Sequence, residues 1–483
     1  MINYKVLKIS TNVVNKRFFS TTFLKSEQLK CAIVGSGPAA FYTAIHLIKN
    51  TKHDIKVDMF EKLPCPFGLV RFGVAPDHPE VKNVLHKFDA FALSEPKFNF
   101  YGNVTIGKDI SLSDLQEAYN FTVLAYGSEK DNELYIKNEH SKNVFSARAF
   151  VGWYNGHPEF FNLNPDLSNV REVSIIGMGN VSLDCARLLL SPPSALENTD
   201  ITKHAFEVLR NSKVERVRIL GRRGPMEVAF TSKELREMDS IPNLKFKTDL
   251  ALLKNALEDS KNSLLLSKDR PRKRLLENLN KFFKKNMEGS SKKTFQIDFL
   301  KSPKEVILNE DGSLHSLKVE KNELCENGKV EGTNIFEEIR SDMIIKSVGY
   351  KSVALEGLPF NEKKGFVPNF SGRVVDANST VIAGLYVSGW LKRGPTGVIA
   401  STMFDANETA GAILKDLEES PQKLDQAKTG FEAISKRLNV KRIVTFTDWK
   451  KIEKHEFDEG IKVGKVREKL SNIDEMLRIC DKL

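Results

Sequence analysis

At 483 residues the chain is too long for one ordinary core, so two or three domains are expected. An apolar fraction of 41% and a charged fraction of 28% are those of a globular protein, and no run approaches the about 18 uninterrupted apolar residues of a membrane-crossing helix. A net charge of +10 favours an acidic partner, whether nucleic acid, membrane surface or protein. The cysteines Cys31, Cys65, Cys185, Cys325 and Cys480 leave no C-x-x-C for zinc or dithiol chemistry and are too sparse for a secreted disulfide framework, so no metal site is expected.

Residues 1–26 carry Lys5, Lys8, Lys16, Arg17 and Lys25, interleaved hydroxyl and apolar side chains, and no acid before Glu27. That composition reads as a mitochondrial presequence. Leu29 to Val34 then reads as a short buried strand, followed by Gly35-Ser36-Gly37-Pro38-Ala39-Ala40 and an apolar helix from Phe41 to Ile48. In this G-x-G-x-x-A loop Gly35 permits the tight turn, Gly37 lets the backbone approach a pyrophosphate, and the small third residue lets helix pack on strand. The helix N-terminus offers free N–H groups to the phosphates. The next strand, Lys56 to Phe60, ends in Glu61, about 20 residues on, where an acid can accept hydrogen bonds from a ribose. The Pro- and Gly-rich run from Pro64 to Gly73 suits an extended path across a flat ligand, which favours FAD over NAD here. A strand from Phe121 to Tyr126 ends at Gly127.

A second unit follows. Val173 to Ile176 is a strand, Gly177-Met178-Gly179-Asn180-Val181-Ser182 a second glycine loop, and Leu183 to Leu190 a helix. The crossover is lengthened by Ser191-Pro192-Pro193 and a helix-like run from Ile201 to Asn211. The next strand, Arg216 to Leu220, ends in Gly221-Arg222-Arg223, where an NAD-specific fold would place a carboxylate. Two arginines suit a dianionic 2′-phosphate instead, so the expected nucleotide is NADP. Phe230 to Met238 reads as a helix, and 252–293 as a polar, basic segment densest at Arg270-Pro271-Arg272-Lys273-Arg274. Strands resume at Phe295, Leu317 and Met343. An apolar strand from Ser379 runs to Gly389-Trp390, Leu391 to Pro395 is a basic turn, and Thr396-Gly397-Val398-Ile399 opens a helix to about Leu414. A helix N-terminus beside the flavin pyrimidine edge would stabilise negative charge on the reduced ring.

The segments GSGPAAFYTA, FGLVRFGVAPDHPEVKNV, SARAFVGWYNG, GRRGP, KELREM, RPRKRL, GYKS, GRVVD, SGWLKRGPTGVIAST, TDWKKI and VREKL occur in that order between Cys31 and the C-terminus. Through them the chain resembles the adrenodoxin-type ferredoxin–NADP⁺ reductases. The resemblance implies an α/β protein with two Rossmann-like dinucleotide-binding domains. The NADP domain, 131–355, would be inserted within an FAD domain made of 29–130 and 356–483. It further implies electron transfer from NADPH through FAD to an acidic 2Fe–2S ferredoxin of the adrenodoxin type in the mitochondrial matrix, with peripheral inner-membrane association left open. Carried over residue by residue, Gly35, Gly37, Ala39, Glu61, Leu69, Ile106, Trp390, Gly397, Val398 and Ile399 would contact FAD. Trp390 stands where many two-dinucleotide flavoproteins have an aspartate. Met178, Gly179, Asn180, Val181, Arg222, Arg223 and Glu234 would contact NADP(H), with Gly397 also near the nicotinamide. His78 matches a histidine near the flavin and Asp184 its partner from the second domain, although Asp77-His78-Pro79 also reads as a helix-capping turn before Glu80. Arg236, Arg270 and Arg274 would dock the ferredoxin. Other classes fit less well: a disulfide reductase lacks its dithiol pair, and a nucleic-acid module built on Arg270 to Arg274 lacks interleaved aromatics, so no nucleic acid is expected.

Overall fold

Strands from the two ends of the chain meet in one sheet. The computed structural model describes residues 28–259, 266–285, 292–325, 329–419, 427–440 and 442–481, and the expected presequence lies outside them. The first sheet runs Asn369–Phe370, Arg373–Val375, Val381–Val387, Phe121–Leu124, Leu29–Val34, Ile55–Glu61, Phe98–Gly102. Its last five strands are parallel and its first two are added antiparallel. Leu29–Val34 lies centrally, which is why Cys31, Ala32 and Ile33 are fully buried and the strand does not alternate. Helix Pro38–Asn50 packs on helix Ile399–Glu419, and Phe41, Phe67, Phe88 and Trp449 fill the core beneath them.

The second sheet is parallel throughout: Val144–Ser146, Met343–Lys346, Glu172–Ile176, Arg216–Leu220, Thr294–Asp298, Lys245–Thr248. A three-stranded antiparallel sheet, Lys301–Leu308, Leu314–Leu324 and Val330–Arg340, flanks it and shares a core of Ile176, Leu220, Leu317 and Ile344. The two passages of chain between the sheets pair with each other as a short ribbon, Lys130–Asp131 against Tyr350–Lys351. In both large sheets the strand before the glycine loop lies between neighbours whose crossovers leave in opposite directions. That is the topological switch at which open α/β sheets form a ligand crevice.

Some elements depart from the sequence reading. Within 252–293, read as polar and basic, stand helices Leu250–Glu258 and Arg270–Lys285. The second buries Leu275, Leu276, Leu279, Phe282 and Phe283 in the main core of the second lobe. Those positions form one helical stripe, and the dense charge on the opposite face conceals it from any reading by composition. Both loop helices begin earlier than expected, at Pro38 and Asn180, and Pro38 serves as a pre-organised first residue. Trp390–Arg393 is a short helix rather than a plain turn, and the following helix starts at Ile399 and continues to Glu419. Asp77-His78-Pro79 precedes a 3-10 turn, Pro79–Asn83, that receives no side-chain cap.

Candidate functional site

The two glycine loops have the same construction. Gly35 N–H donates to Phe60 O at 2.7 Å, and Gly177 N–H to Leu220 O at 2.9 Å, each joining the loop to the next parallel strand. Gly35 has φ +98° and Gly177 φ +125°, and a Cβ on either would collide with backbone of the strand passing behind, Ala125 O or Ser347 O. Gly37 and Gly179, by contrast, present their Cα to open space, with nothing within 4 Å of an added Cβ. The first glycine is therefore required by the fold, while the second opens a cradle of the kind a pyrophosphate needs. Gly177→Ala should cost at least about 1–3 kcal/mol from its backbone conformation alone, seen as a lowered urea midpoint with unchanged m-value. An unshifted midpoint would contradict the collision with Ser347.

At the first loop, Ser36 N–H (3.0 Å) and Ser36 hydroxyl (2.6 Å) donate to one oxygen of Glu61, and Leu63 N–H donates to the other at 3.0 Å. Burial pushes the Glu61 carboxyl up, against the pull of these hydrogen bonds. The Pro- and Gly-rich segment folds back on the loop: Phe67 N–H donates to Ser36 O at 3.0 Å, and Gly68, at φ +48°, lies so near Gly37 that an added Cβ would stand 3.2 Å from its Cα. Leu69 beside it stays exposed. From the far end of the chain, Gly389 lies against Ala39 so closely that a Cβ there would sit 2.5 Å from the alanine Cβ. This contact brings Trp390 to the same loop, where its ring stacks on Tyr350 with centroids 6.0 Å apart. Gly389 N–H donates to buried Asp405 at 2.6 Å, and Lys392 Nζ pairs with Asp405 at 3.2 Å. Gly397 and Val398 are exposed and lead into helix Ile399–Glu419, while Ile106 is buried in the core that holds Val34 and Phe60.

At the second loop, Met178 O accepts from Ala229 N–H (2.8 Å) and Phe230 N–H (3.0 Å), and Asn180 Oδ1 accepts from Thr231 N–H at 2.9 Å. These bonds gather Met178, Gly179, Asn180 and Val181 with Glu234, whose carboxylate accepts from Thr231 hydroxyl. Arg222 and Arg223 are both exposed, and neither guanidinium pairs with a described residue. Their backbone is fixed by Asn322 Nδ2 donating to Arg222 O (2.8 Å) and Leu300 N–H donating to Arg223 O (3.1 Å). They line a cleft of about 480 Å³ together with Ser302, Lys304, Glu320 and Asn322 of the antiparallel sheet.

Between the lobes lies a charged cluster. Arg187, nearly buried, takes Asp77 at 2.6 and 3.0 Å, Asp184 at 2.8 Å and Glu237 at 3.3 Å. His78 Nε2 lies 3.0 Å from Glu237 and its Nδ1 3.2 Å from Glu80, which also meets Lys233 at 3.3 Å. Asp184 is thus turned onto Arg187, and the second-lobe carboxylate facing His78 is Glu237, one helical turn beyond Glu234. Arg187 and Glu237 were not singled out in the sequence, where only their spacing from Asp184 and Glu234 on their own helices signals them. Asp77, expected as a cap, spends both oxygens on Arg187, which outweigh burial and hold its carboxyl below the usual range. Arg236, Arg270 and Arg274 are exposed on helices that pack together, Ser232–Met238 and Arg270–Lys285. Among the described residues, the one grouping with metal-ligand spacing is Glu133, Glu139 and His140, and Lys346 Nζ already stands 3.2 and 3.5 Å from its two carboxylates.

Two Rossmann-like folds in one chain, each with a glycine loop opened at its second glycine, define an oxidoreductase of the two-dinucleotide class. No family model matches the chain. It is 42% identical over 495 residues to the mitochondrial NADPH:adrenodoxin oxidoreductase of Salvelinus fontinalis, covering 99% of this chain and 97% of that protein. It is 44% identical over 476 residues to the protein of the same name from Bos taurus, covering 95% and 94%. The solved structure of Mycobacterium tuberculosis FprA in complex with NADPH superposes with a TM-score of 0.86 at 35% identity, over 94% of this chain and 99% of that one. The chain belongs to the NADPH:adrenodoxin oxidoreductase family.

Proposed function

We propose that the protein holds FAD in a domain made of residues 29–130 and 356–483 and takes electrons from NADPH held in an inserted domain, 131–355. It passes them to an adrenodoxin-type 2Fe–2S ferredoxin in the mitochondrial matrix. The observation that carries this reading is the contrast between two otherwise equivalent loops. The strand beside the first ends in Glu61, a buried carboxylate suited to a ribose, and the strand beside the second ends in an exposed arginine pair suited to a 2′-phosphate. Bound flavin accepts two electrons as hydride and releases them singly to a one-electron acceptor. The chain's own residues do the rest. Gly37 and Gly179 admit the two pyrophosphates, Ala39, Leu69, Ile106, Trp390 and the Gly397–Ile399 turn enclose the flavin, and Met178, Asn180, Val181 and Glu234 seat the nicotinamide nucleotide. His78 and Asp184, with the cluster around Arg187, form the polar wall between the two. An absorbance spectrum of the purified protein followed by anaerobic titration with NADPH tests the reading. A flavin spectrum bleached by one equivalent supports it, and a colourless or unresponsive protein overturns it.

Docking has its own test. Arg236, Arg270 and Arg274 present positive charge on two adjoining helices, and an acidic ferredoxin steered to them should react more slowly as salt shortens the Debye length from about 10 Å at 0.1 M to about 3 Å at 1 M. Arg270→Glu or Arg274→Glu should slow ferredoxin-dependent cytochrome c reduction by about ten-fold or more at low salt, since like charges at an interface cost several kcal/mol. NADPH oxidation by ferricyanide, which needs no docking, should persist. Loss of both activities together would assign the arginines to the fold instead.

A further inference from the structure

The second lobe is held by the first through residues outside both glycine loops. Asp200, in the loop before helix Lys203–Arg210, receives Lys82 Nζ on both oxygens at 2.7 Å and Lys469 Nζ at 3.0 Å. Both lysines come from the other lobe. Lys82 belongs to the 3-10 turn that follows His78, and Lys469 to the segment after helix Phe446–Lys462. Lys469 is buried, and its ammonium also donates to Arg71 O at 3.3 Å and to Asn155 Oδ1 at 3.1 Å. Burial pushes the Asp200 carboxyl up and both lysine ammoniums down; at Asp200 the two lysines outweigh burial and hold the carboxyl well below the usual carboxylate range, while at Lys469 and Lys82 burial outweighs the pull of Asp200.

The segment bearing Lys469 is itself pinned on both sides. Towards its own lobe, Leu470 N–H donates to Glu456 at 2.9 Å, and the same buried carboxylate pairs with Arg71 and Arg467. Towards the second lobe, Lys465 Nζ donates to Ile201 O, and Lys203 N–H donates to Glu468 at 2.8 Å. The segment passes so close that a Cβ on Gly156 of the second lobe would meet Ser471 Oγ at 2.9 Å. Arg187 grips Asp77 on the other flank of His78, with the polarity reversed. Removing one partner of a buried pair leaves the other charge buried and uncompensated, so these grips are more sensitive to a single substitution than a surface ion pair is.

We propose that Asp200, Lys82 and Lys469 are positioning residues that fix the angle between the two dinucleotide folds, and with it the approach of the nicotinamide to the flavin. This rests on the two-cofactor reading above. None of the three belongs to a glycine loop, so their effect falls on the relation between the folds and not on either nucleotide's own seat. Displacement of a reacting group by about 1 Å can cost about 10²-fold in rate.

The test uses the full-length holoenzyme. Asp200→Asn should retain its flavin and keep the KM for NADPH within about three-fold, because the 2′-phosphate site moves with its own fold. Stopped-flow reduction of the flavin by NADPH should slow by about ten-fold or more. The long-wavelength charge-transfer absorbance formed when NADP⁺ is added to the reduced enzyme, a direct report of ring stacking, should weaken in parallel. Asp200→Glu, which keeps the carboxylate, should recover part of both. An Asp200→Asn protein with normal reduction rate and normal charge-transfer absorbance overturns the proposal. If that variant does not fold, Lys82→Met removes one grip at the rim of the cluster, and normal values there overturn the proposal equally. A wild-type protein that shows no flavin, or no response to NADPH, fails the two-cofactor reading before any variant is compared.

Discussion

Gly37→Val should give a folded, colourless protein. Gly37 has φ −74° and ψ −177°, a backbone conformation open to any residue, and nothing lies within 4 Å of a Cβ built on it. The Cβ of the substitution therefore meets no protein atom, and its cost to the apo fold is that of a poor helix cap, about 1 kcal/mol. The branched side chain instead occupies the space through which a pyrophosphate reaches the N–H groups at the start of helix Pro38–Asn50. Flavin content after purification should fall to background. Thermal midpoints of the wild type and the variant should differ by no more than a few degrees once the wild type is stripped of FAD, and should separate further when FAD is added back, because a ligand that binds only the folded state raises its stability. The same change at Gly35 would not discriminate, since φ +98° and the contact with Ala125 O would unfold the protein whatever its ligand. Yellow, fully loaded Gly37→Val would remove the phosphates from this loop.

The glycine loops were legible in the sequence because their demands are local. A tight turn at φ above zero, a small residue under a helix and a charge at the end of the next strand are each set by a few consecutive residues. The sheet order around them follows from the right-handed crossovers those loops begin. What the sequence hid is of two physical kinds. One is amphipathic structure under heavy charge: helix Arg270–Lys285 reads as a basic tract, and strand Val330–Arg340 is so exposed that its alternation carries little apolar signal. The other is pairing across the boundary between lobes. Arg187 with Asp77, His78 with Glu237, and Asp200 with Lys82 and Lys469 unite residues far apart in the chain, and no local pattern selects one carboxylate over its neighbours. His78 was found through the resemblance, but its nearest second-lobe carboxylate, Glu237, needed the fold.

Replacing Arg222 and Arg223 together by glutamine should separate the two nicotinamide nucleotides. Each guanidinium is exposed at the rim of the cleft it shares with Ser302, Lys304 and Asn322, and neither is engaged with a described carboxylate that would compete for it. A 2′-phosphate entering the cleft could take charge-assisted hydrogen bonds from both, each worth about 1.5–3 kcal/mol. Every 1.4 kcal/mol is about a factor of ten, so the double variant should raise the KM for NADPH by about 10²–10⁴-fold. NADH has no 2′-phosphate and loses none of these bonds, so its KM should change little. Stability should hardly change, because the backbone at both positions is fixed by Asn322 and Leu300 and not by the side chains. Lys304 and Lys329 are the other cations lining the cleft, and Glu320 already holds Lys304, which limits how far that lysine can substitute. Steady-state assays with ferricyanide, run with both nucleotides on the same preparation, isolate this step from ferredoxin docking. An equal rise in KM for NADPH and NADH would show that the arginines serve the cleft's shape or field generally, and that the 2′-phosphate is read elsewhere.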